Sequence, residues 1–310
     1  MPKTAKQKAD RCMVLAAECK ISKAERDESW LLQPLDRLPP PLTIGGSADT
    51  RSPLILSAPH AGTCYAAELF STDNLNKARA FEETGTEWIA SSLSSPLRPS
   101  VIAQAARAVV DVNRPASALD THLHDGIAPC TDTYRRYVEA GYGVIPRLDR
   151  YRRPLHKNRI PLALAHQIIT THHRPYHQLL ETHIDTGMEH QPKLLLIDIH
   201  SMPDETHNRQ YPDFVFGNLF GATLEHRLVK HIDQFMRSTK WSWRWNSPYA
   251  GGYTTRHYGL DDNPAYTRLS ALQIECNRSL FETSKGTDNQ VLNAMCQTLE
   301  EMCQMLEAEI

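Results

Sequence analysis

No apolar run in this chain approaches the length needed to cross a membrane. After the basic start Met-Pro-Lys-Thr-Ala-Lys-Gln-Lys, only Met13 to Ala17 is continuously apolar, too short for the core of a secretion signal. Metal-binding or redox Cys-x-x-Cys pairs are missing as well. The seven cysteines (Cys12, Cys19, Cys64, Cys130, Cys276, Cys296 and Cys303) leave an odd count, which argues against a disulfide framework. A reducing, cytoplasmic location is the expectation. Excess charge is lacking too: 34 basic residues balance 36 acidic ones, for a formal charge of −2. Such balance gives no global pull toward nucleic acid or an anionic membrane surface. No internal repeat is visible. At 310 residues, 41% hydrophobic and 23% charged, the composition is that of an ordinary globular chain.

What is present is an alternation of short apolar runs and longer helical patterns. Residues 1–40 read as an N-terminal helical, charged extension ending in Leu38-Pro-Pro-Pro-Leu42, and residues 41–310 as the main domain. Pro53 to Ala58, Ala108 to Val112, Leu194 to Ile199 and Leu272 to Cys276 are short and almost wholly apolar, as strands covered on both faces are. Glu82 to Leu93, Pro161 to Ile184, Ala222 to Phe235 and Asp288 to Glu309 carry helical patterns. The last has an apolar stripe at Leu292, Met295, Leu299, Met302 and Leu306, expected to pack on the sheet. The pattern predicts an α/β fold, a three-layer arrangement with a mixed β-sheet between helices.

Ligands of open α/β sheets collect at the carboxyl ends of strands. Here those ends carry His60, Asn113-Arg114 and His200-Ser201, with Glu275 near the end of the fourth run. A neutral imidazole on a strand end beside a tight turn suits metal coordination. Two such ends and a carboxylate point to a three-ligand catalytic zinc site with a position open for water. The carboxylate is sought among Glu82, Glu83 and Glu87; the first two also suit helix capping, and Glu87, deeper in the helix, suits an inward role. The other histidines, His172 and His173 among them, lack a supporting motif and are expected to be solvated or locally hydrogen-bonded. Glu275, inside an apolar strand, requires a cation partner or a polar cavity, and a raised pKa there suits a general base. Arg114 and Arg256, in Gly/Pro-rimmed loops, suit bidentate capture of carboxylates, with Arg147 a third candidate.

Nine segments in order resemble the N-formylglutamate amidohydrolase family: LILSAPHAG, FEETGTEWIASSL, RAVVDVNRP, AGYGVIPRL, RPYHQLL, LLLIDIHSMP, PDFVFGNLFGA, PYAGGYTTRHYG and ALQIECNRSLF. They run from about residue 53 to 283. The resemblance implies a fold similar to the zinc carboxypeptidases (phosphorylase/hydrolase-like) and zinc-dependent hydrolysis of N-formyl-L-glutamate to formate and L-glutamate. It implies His60 and His200 as metal ligands, Glu87 as the acidic ligand with Glu83 second, and Glu275 as general acid/base. Asn113 and Arg114 resemble a pair that holds a substrate carboxylate, and Arg256 fits a second carboxylate or the oxyanion. The implied partner is a small N-acyl amino acid, with neither nucleic acid nor membrane. Hydrolysis of another N-acyl amino acid or a C-terminal peptide acid is the nearest alternative. A non-catalytic, metal-stabilised binding protein is the alternative from another class.

Overall fold

The computed structural model describes residues 31–46, 52–203, 211–260, 266–284 and 286–310. Seven strands form one mixed sheet: β1 (Leu42–Ile44), β2 (Leu54–Ala58), β3 (Ser100–Ile102), β4 (Leu194–Met202), β5 (Phe214–Gly217), β6 (Trp243–Trp245) and β7 (Leu269–Asn277), in the order β1-β3-β2-β4-β7-β5-β6. The central β3, β2, β4 and β7 run parallel, and β1 and β5 are antiparallel to their inner neighbours. Helices follow as α1 (Thr72–Arg79), α2 (Thr86–Leu93), α3 (Arg135–Glu139), α4 (Leu162–Ile168), α5 (Arg174–His190), α6 (His226–Arg237), α7 (Tyr253–Gly259) and α8 (Asn289–Glu309).

Strand side chains alternate between faces, and the two faces have separate cores. Leu195, Ile197 and Ile199 of β4 and Leu272, Ile274 and Cys276 of β7 are buried with residues of α2, α6 and α8. The α8 stripe Leu292, Met295, Leu299, Met302 and Leu306 lies in this cluster, as its spacing predicts. Leu194 and Leu196 of β4 and Leu269 and Ala271 of β7 face the opposite core, shared with α4, α5 and α7. Farther along those same two rows stand Asp198 and His200 on β4, and Gln273 and Glu275 on β7. The polar site therefore continues the α5 face of the sheet toward the carboxyl ends of its parallel strands.

Four expectations need correction. Ala108 to Val112 is not a strand; it is a buried chain of turns, with Val109 and Val110 N–H donating to the Ala106 carbonyl and Asp111 N–H to that of Val144. Its apolarity reflects burial without sheet pairing, and the strand beside β2 is Ser100–Ile102 instead. The helix expected from Glu82 begins at Thr86, because Gly85 adopts φ 90° and breaks the chain direction just ahead of it. The helix expected across Pro161 to Ile184 carries a π-helical turn at Ile169–His173 between α4 and α5. Arg256, expected on a loop, stands on the short helix α7.

The helical reading of residues 1–30 lies outside the described residues. Residues 31–40 pack into the body: Leu31, Leu35 and Leu38 are buried in the α5-side core, and Leu32–Gln33 pairs in parallel with Tyr65–Ala66. No disulfide joins the five described cysteines. Among the described residues no helix is long and apolar enough to cross a membrane.

Candidate metal centre and catalytic site

His60 follows β2 in a turn, Glu83 lies in the turn before α2, and His200 stands near the end of β4. Donor atoms of these three lie within 4.8 Å of one another. His60 Nδ1 faces Glu83 Oε1 at 2.7 Å, and His200 Nδ1 faces Glu83 Oε2 at 3.0 Å. Each ring turns its other nitrogen to a buried carboxylate. His60 Nε2 donates to Asp111 Oδ1 at 2.8 Å and His200 Nε2 to Asp198 Oδ2 at 3.0 Å. A carboxylate behind each imidazole fixes ring orientation and raises ligand basicity, the usual support of a metal-binding histidine. Two Nδ1 atoms and a carboxylate converging in a buried place fit the donor set of a bound metal ion.

The charges agree with that reading. Burial opposes ionisation of Glu83, but the two facing imidazoles pull its carboxyl well below the ordinary range. Burial likewise disfavours a charged His200, yet Asp198 and Glu83 push its pKa well above the usual value. Burial would raise Asp111 too; Arg107 and His60 hold it well below the carboxylate range.

Glu87 does not join this group. It is half-buried on α2 and lines a separate cavity of about 430 Å³ with Arg37, Ala61, Cys64 and Gln104. The reason is local: the left-handed Gly85 starts the helix late, so Glu83 stays in the preceding turn and points at the histidines. Glycine after Glu83-Thr84 is a helix breaker legible in the sequence, and it is the signal that separates the two glutamates.

Glu275 lies directly beside His200, because β4 and β7 pair these two residues in register. It is 6% exposed, and burial pushes its carboxyl up to about 7, with Glu83 adding to the rise and His200 and Arg107 opposing it. Gln273 Nε2 donates to Glu275 Oε1 at 2.8 Å, while Gln273 Oε1 accepts from Gly252 N–H at 2.7 Å. One side chain thus ties the carboxylate to the start of α7.

Asn113 bridges the two halves of the site. Its Nδ2 lies 3.2 Å from His200 Nε2 and its Oδ1 accepts from Thr254 N–H at 2.8 Å. A Cβ on Gly252 would come within 2.3 Å of Asn113 Nδ2, so this close approach requires glycine. Arg114 is buried, with Nη1 donating to the Asn113 carbonyl at 2.7 Å and Nε to that of Tyr142 at 3.1 Å. Its guanidinium lies 4.8 Å from the centroid of the Tyr137 ring. Nη2 makes no hydrogen bond among the described residues. Arg256 is exposed and forms no ion pair among them. Burial lifts the Tyr134 phenol to about 12, against the opposing fields of Arg256 and Arg114, so both arginines act on one tyrosine. Its hydroxyl, like those of Thr254 and Thr255, is buried without a hydrogen-bond partner among the described residues. Arg147 stands apart, paired to Asp120 at 2.7 Å.

Sequence reasoning missed Arg107, which donates to Glu83 at 2.9 Å and to Asp111 at 3.0 Å. It also missed Asp111 and Asp198 as supports of the histidines, and Gln273. Alternation along LLLIDIHSM could have found Asp198, two residues from His200 and so on the same face.

The family model described as N-formylglutamate amidohydrolase matches residues 52–282 of this chain. A relative named N-formylglutamate deformylase, from Pseudomonas putida, is 28% identical over 241 residues, covering 74% of this chain and 82% of its own. One of the same name from Pseudomonas aeruginosa is 26% identical over 235 residues, 73% and 80% of the two chains. Among solved structures, an N-formylglutamate amidohydrolase from Ralstonia eutropha JMP134 superposes with a TM-score of 0.76 at 23% identity, covering 87% of this chain and 98% of that one. A gene product of Agrobacterium tumefaciens superposes at 0.64 with 18% identity, covering 87% and 95%. These two establish likeness of fold. With the family match spanning most of the sequence and the site's residues inside it, the chain belongs to the N-formylglutamate amidohydrolase family.

Proposed function

We propose that this enzyme hydrolyses N-formyl-L-glutamate to formate and L-glutamate, using zinc held by His60, Glu83 and His200. The observation that carries the reading is the convergence of those three side chains next to Glu275, with Asn113 against His200 and Arg114 the next residue. Zinc held there would supply Lewis acidity toward the formyl oxygen and toward water.

The remaining work falls to the chain. Glu275 has one oxygen tied to Gln273 and the other available for a proton. A carboxyl poised near neutrality accepts a proton from the attacking water and returns it to the leaving nitrogen. Water adds to the formyl carbon, the C–N bond breaks, and formate and the free amino acid result. Arg107, which pairs with Glu83 and Asp111, would lend its positive charge to the developing oxyanion. Arg114 offers Nη2 to the α-carboxylate, and Arg256 offers its exposed head to the side-chain carboxylate. Hydrolysis of another N-acyl amino acid is the second reading, favoured by the exposure of Arg256, which leaves the side-chain end of the site open. The cysteine pattern supports the cytoplasm as the compartment.

Metal analysis of the purified protein, combined with formate release from N-formylglutamate, N-formylglutamine and N-formylalanine, tests the proposal. One zinc per chain and highest kcat/KM on N-formylglutamate are expected. A zinc-loaded protein that releases no formate from any of the three would sink it.

A further inference from the structure

Two histidines outside the metal-facing group grip the turn that carries Arg114. His173 closes the π-helical turn and His177 lies one turn on in α5, so their rings share a helix face with centroids 4.7 Å apart. His173 Nε2 donates to the Arg114 carbonyl at 2.7 Å, and His177 Nε2 to the Val112 carbonyl at 2.9 Å. His177 Nδ1 accepts from the Tyr258 hydroxyl at 2.9 Å on α7, which places its ring proton on Nε2. Both rings are buried, at 4% and 7% exposure. The two carbonyls flank Asn113, whose side chain points the other way, toward His200 and Thr254.

Residues 112–114 form no strand or helix, so their carbonyls need partners from elsewhere. The Arg114 guanidinium is itself bound through Nη1 to the carbonyl of Asn113. Its aim therefore follows the peptide between Asn113 and Arg114, and the peptides on either side of that one are held by the two imidazoles. A π-helical turn is rare and collects at functional sites; here it delivers His173 to the Arg114 carbonyl.

We infer that His173 and His177 are positioning residues, which set the orientation of the Arg114 carboxylate clamp by pinning the carbonyls of Arg114 and Val112. The inference rests on the reading of Arg114 as the α-carboxylate clamp. Neither histidine belongs to the metal-facing group, and each spends its Nε2 on a backbone carbonyl, so their loss would act on substrate binding through Arg114.

The test compares zinc-loaded wild type with His173→Leu, His173→Gln and Arg114→Ala, measuring zinc content, kcat and KM on N-formylglutamate. Leucine removes the donor, whereas the glutamine amide nitrogen reaches close to the position of Nε2. His173→Leu is expected to raise KM roughly tenfold, the scale of one buried hydrogen bond lost, with kcat within about threefold. Its zinc content should match wild type, and His173→Gln should stay within about threefold of wild-type KM. If His173→Leu yields no folded protein, His173→Asn, whose amide falls short of the carbonyl, is held to the same criterion. A KM unchanged on loss of the donor, or a glutamine variant as impaired as the leucine one, would overturn the inference. Arg114→Ala separates the two readings. If it leaves KM unaltered, the clamp assignment itself fails. If it raises KM while loss of the His173 donor does not, only the positioning role fails.

Discussion

Exchanging Glu83 for glutamine keeps the side-chain shape but removes the negative charge from the point where His60 and His200 converge. The carboxylate is 9% exposed, so water cannot readily replace the missing donor. Structural zinc sites bind with about 10–16 kcal/mol across four ligands at neutral pH, so one ligand carries roughly 3 kcal/mol, or about 10²-fold in Kd. In a site with three protein ligands, and with the anionic one lost, a weakening of about 10²–10³-fold is expected. Glu87→Gln provides the control. Glu87 faces the cavity beside Ala61 and Cys64, so its loss should change zinc affinity by no more than about threefold, as a substitution away from the site does. Both variants and wild type would be equilibrated against a competing chelator, with bound zinc measured by mass spectrometry and the fold checked by circular dichroism. Weakened zinc in Glu87→Gln alongside unchanged zinc in Glu83→Gln would refute the assignment and the argument from Gly85 behind it.

Glu275→Gln should retain zinc while kcat falls about 10²–10⁴-fold, because the amide keeps an acceptor for Gln273 but cannot take up a proton; a variant within a few-fold of wild type would make Glu275 structural. Asp198→Asn and Asp111→Asn should each weaken zinc about 10–100-fold by loosening the ring behind the ligand nitrogen, as chelator competition would reveal, and full affinity in both would remove the supporting role. Arg256→Ala should lower kcat/KM on N-formylglutamate roughly tenfold, less than a fully desolvated charge pair because Arg256 is exposed, while sparing N-formylalanine. Equal losses on both substrates would detach Arg256 from the side-chain carboxylate. Gly252→Ala should cost about 1–3 kcal/mol in denaturant unfolding by forcing Asn113 aside, and unchanged stability would show that the turn can yield.

The buried runs PLILSA, LLLIDI and LQIEC are legible as strands because parallel strands between helix layers leave uninterrupted apolar signals. AVVDV misleads for the same reason: Val109 and Val110 are as buried as any strand residue, while their backbone bonds close turns. Apolarity reports burial, and pairing is a separate fact. His60, His200 and Glu275 are legible since each marks a strand end or interrupts an apolar row. The choice between Glu83 and Glu87 turned on where a helix starts, the least certain feature of sequence reading. Arg107 and the grip of His173 were beyond reach, because each depends on chain segments that meet only after folding.

The in-register ladder between β4 and β7 has a consequence for how this enzyme can fail. His200 faces Glu275 on one side of the sheet, and Ile199 and Ile274 face the opposite core on the other. Sliding β7 by a single rung would carry Gln273 and Glu275 into that core and turn Leu272, Ile274 and Cys276 toward the polar chamber. Each displaced aliphatic side chain forfeits about 1.5–3 kcal/mol, and the stranded carboxylate adds several more. A chain whose ladder is shifted is therefore disfavoured on both faces of the sheet at once. The register is thus held from the far side of the sheet: closing that core sets Glu275 beside His200.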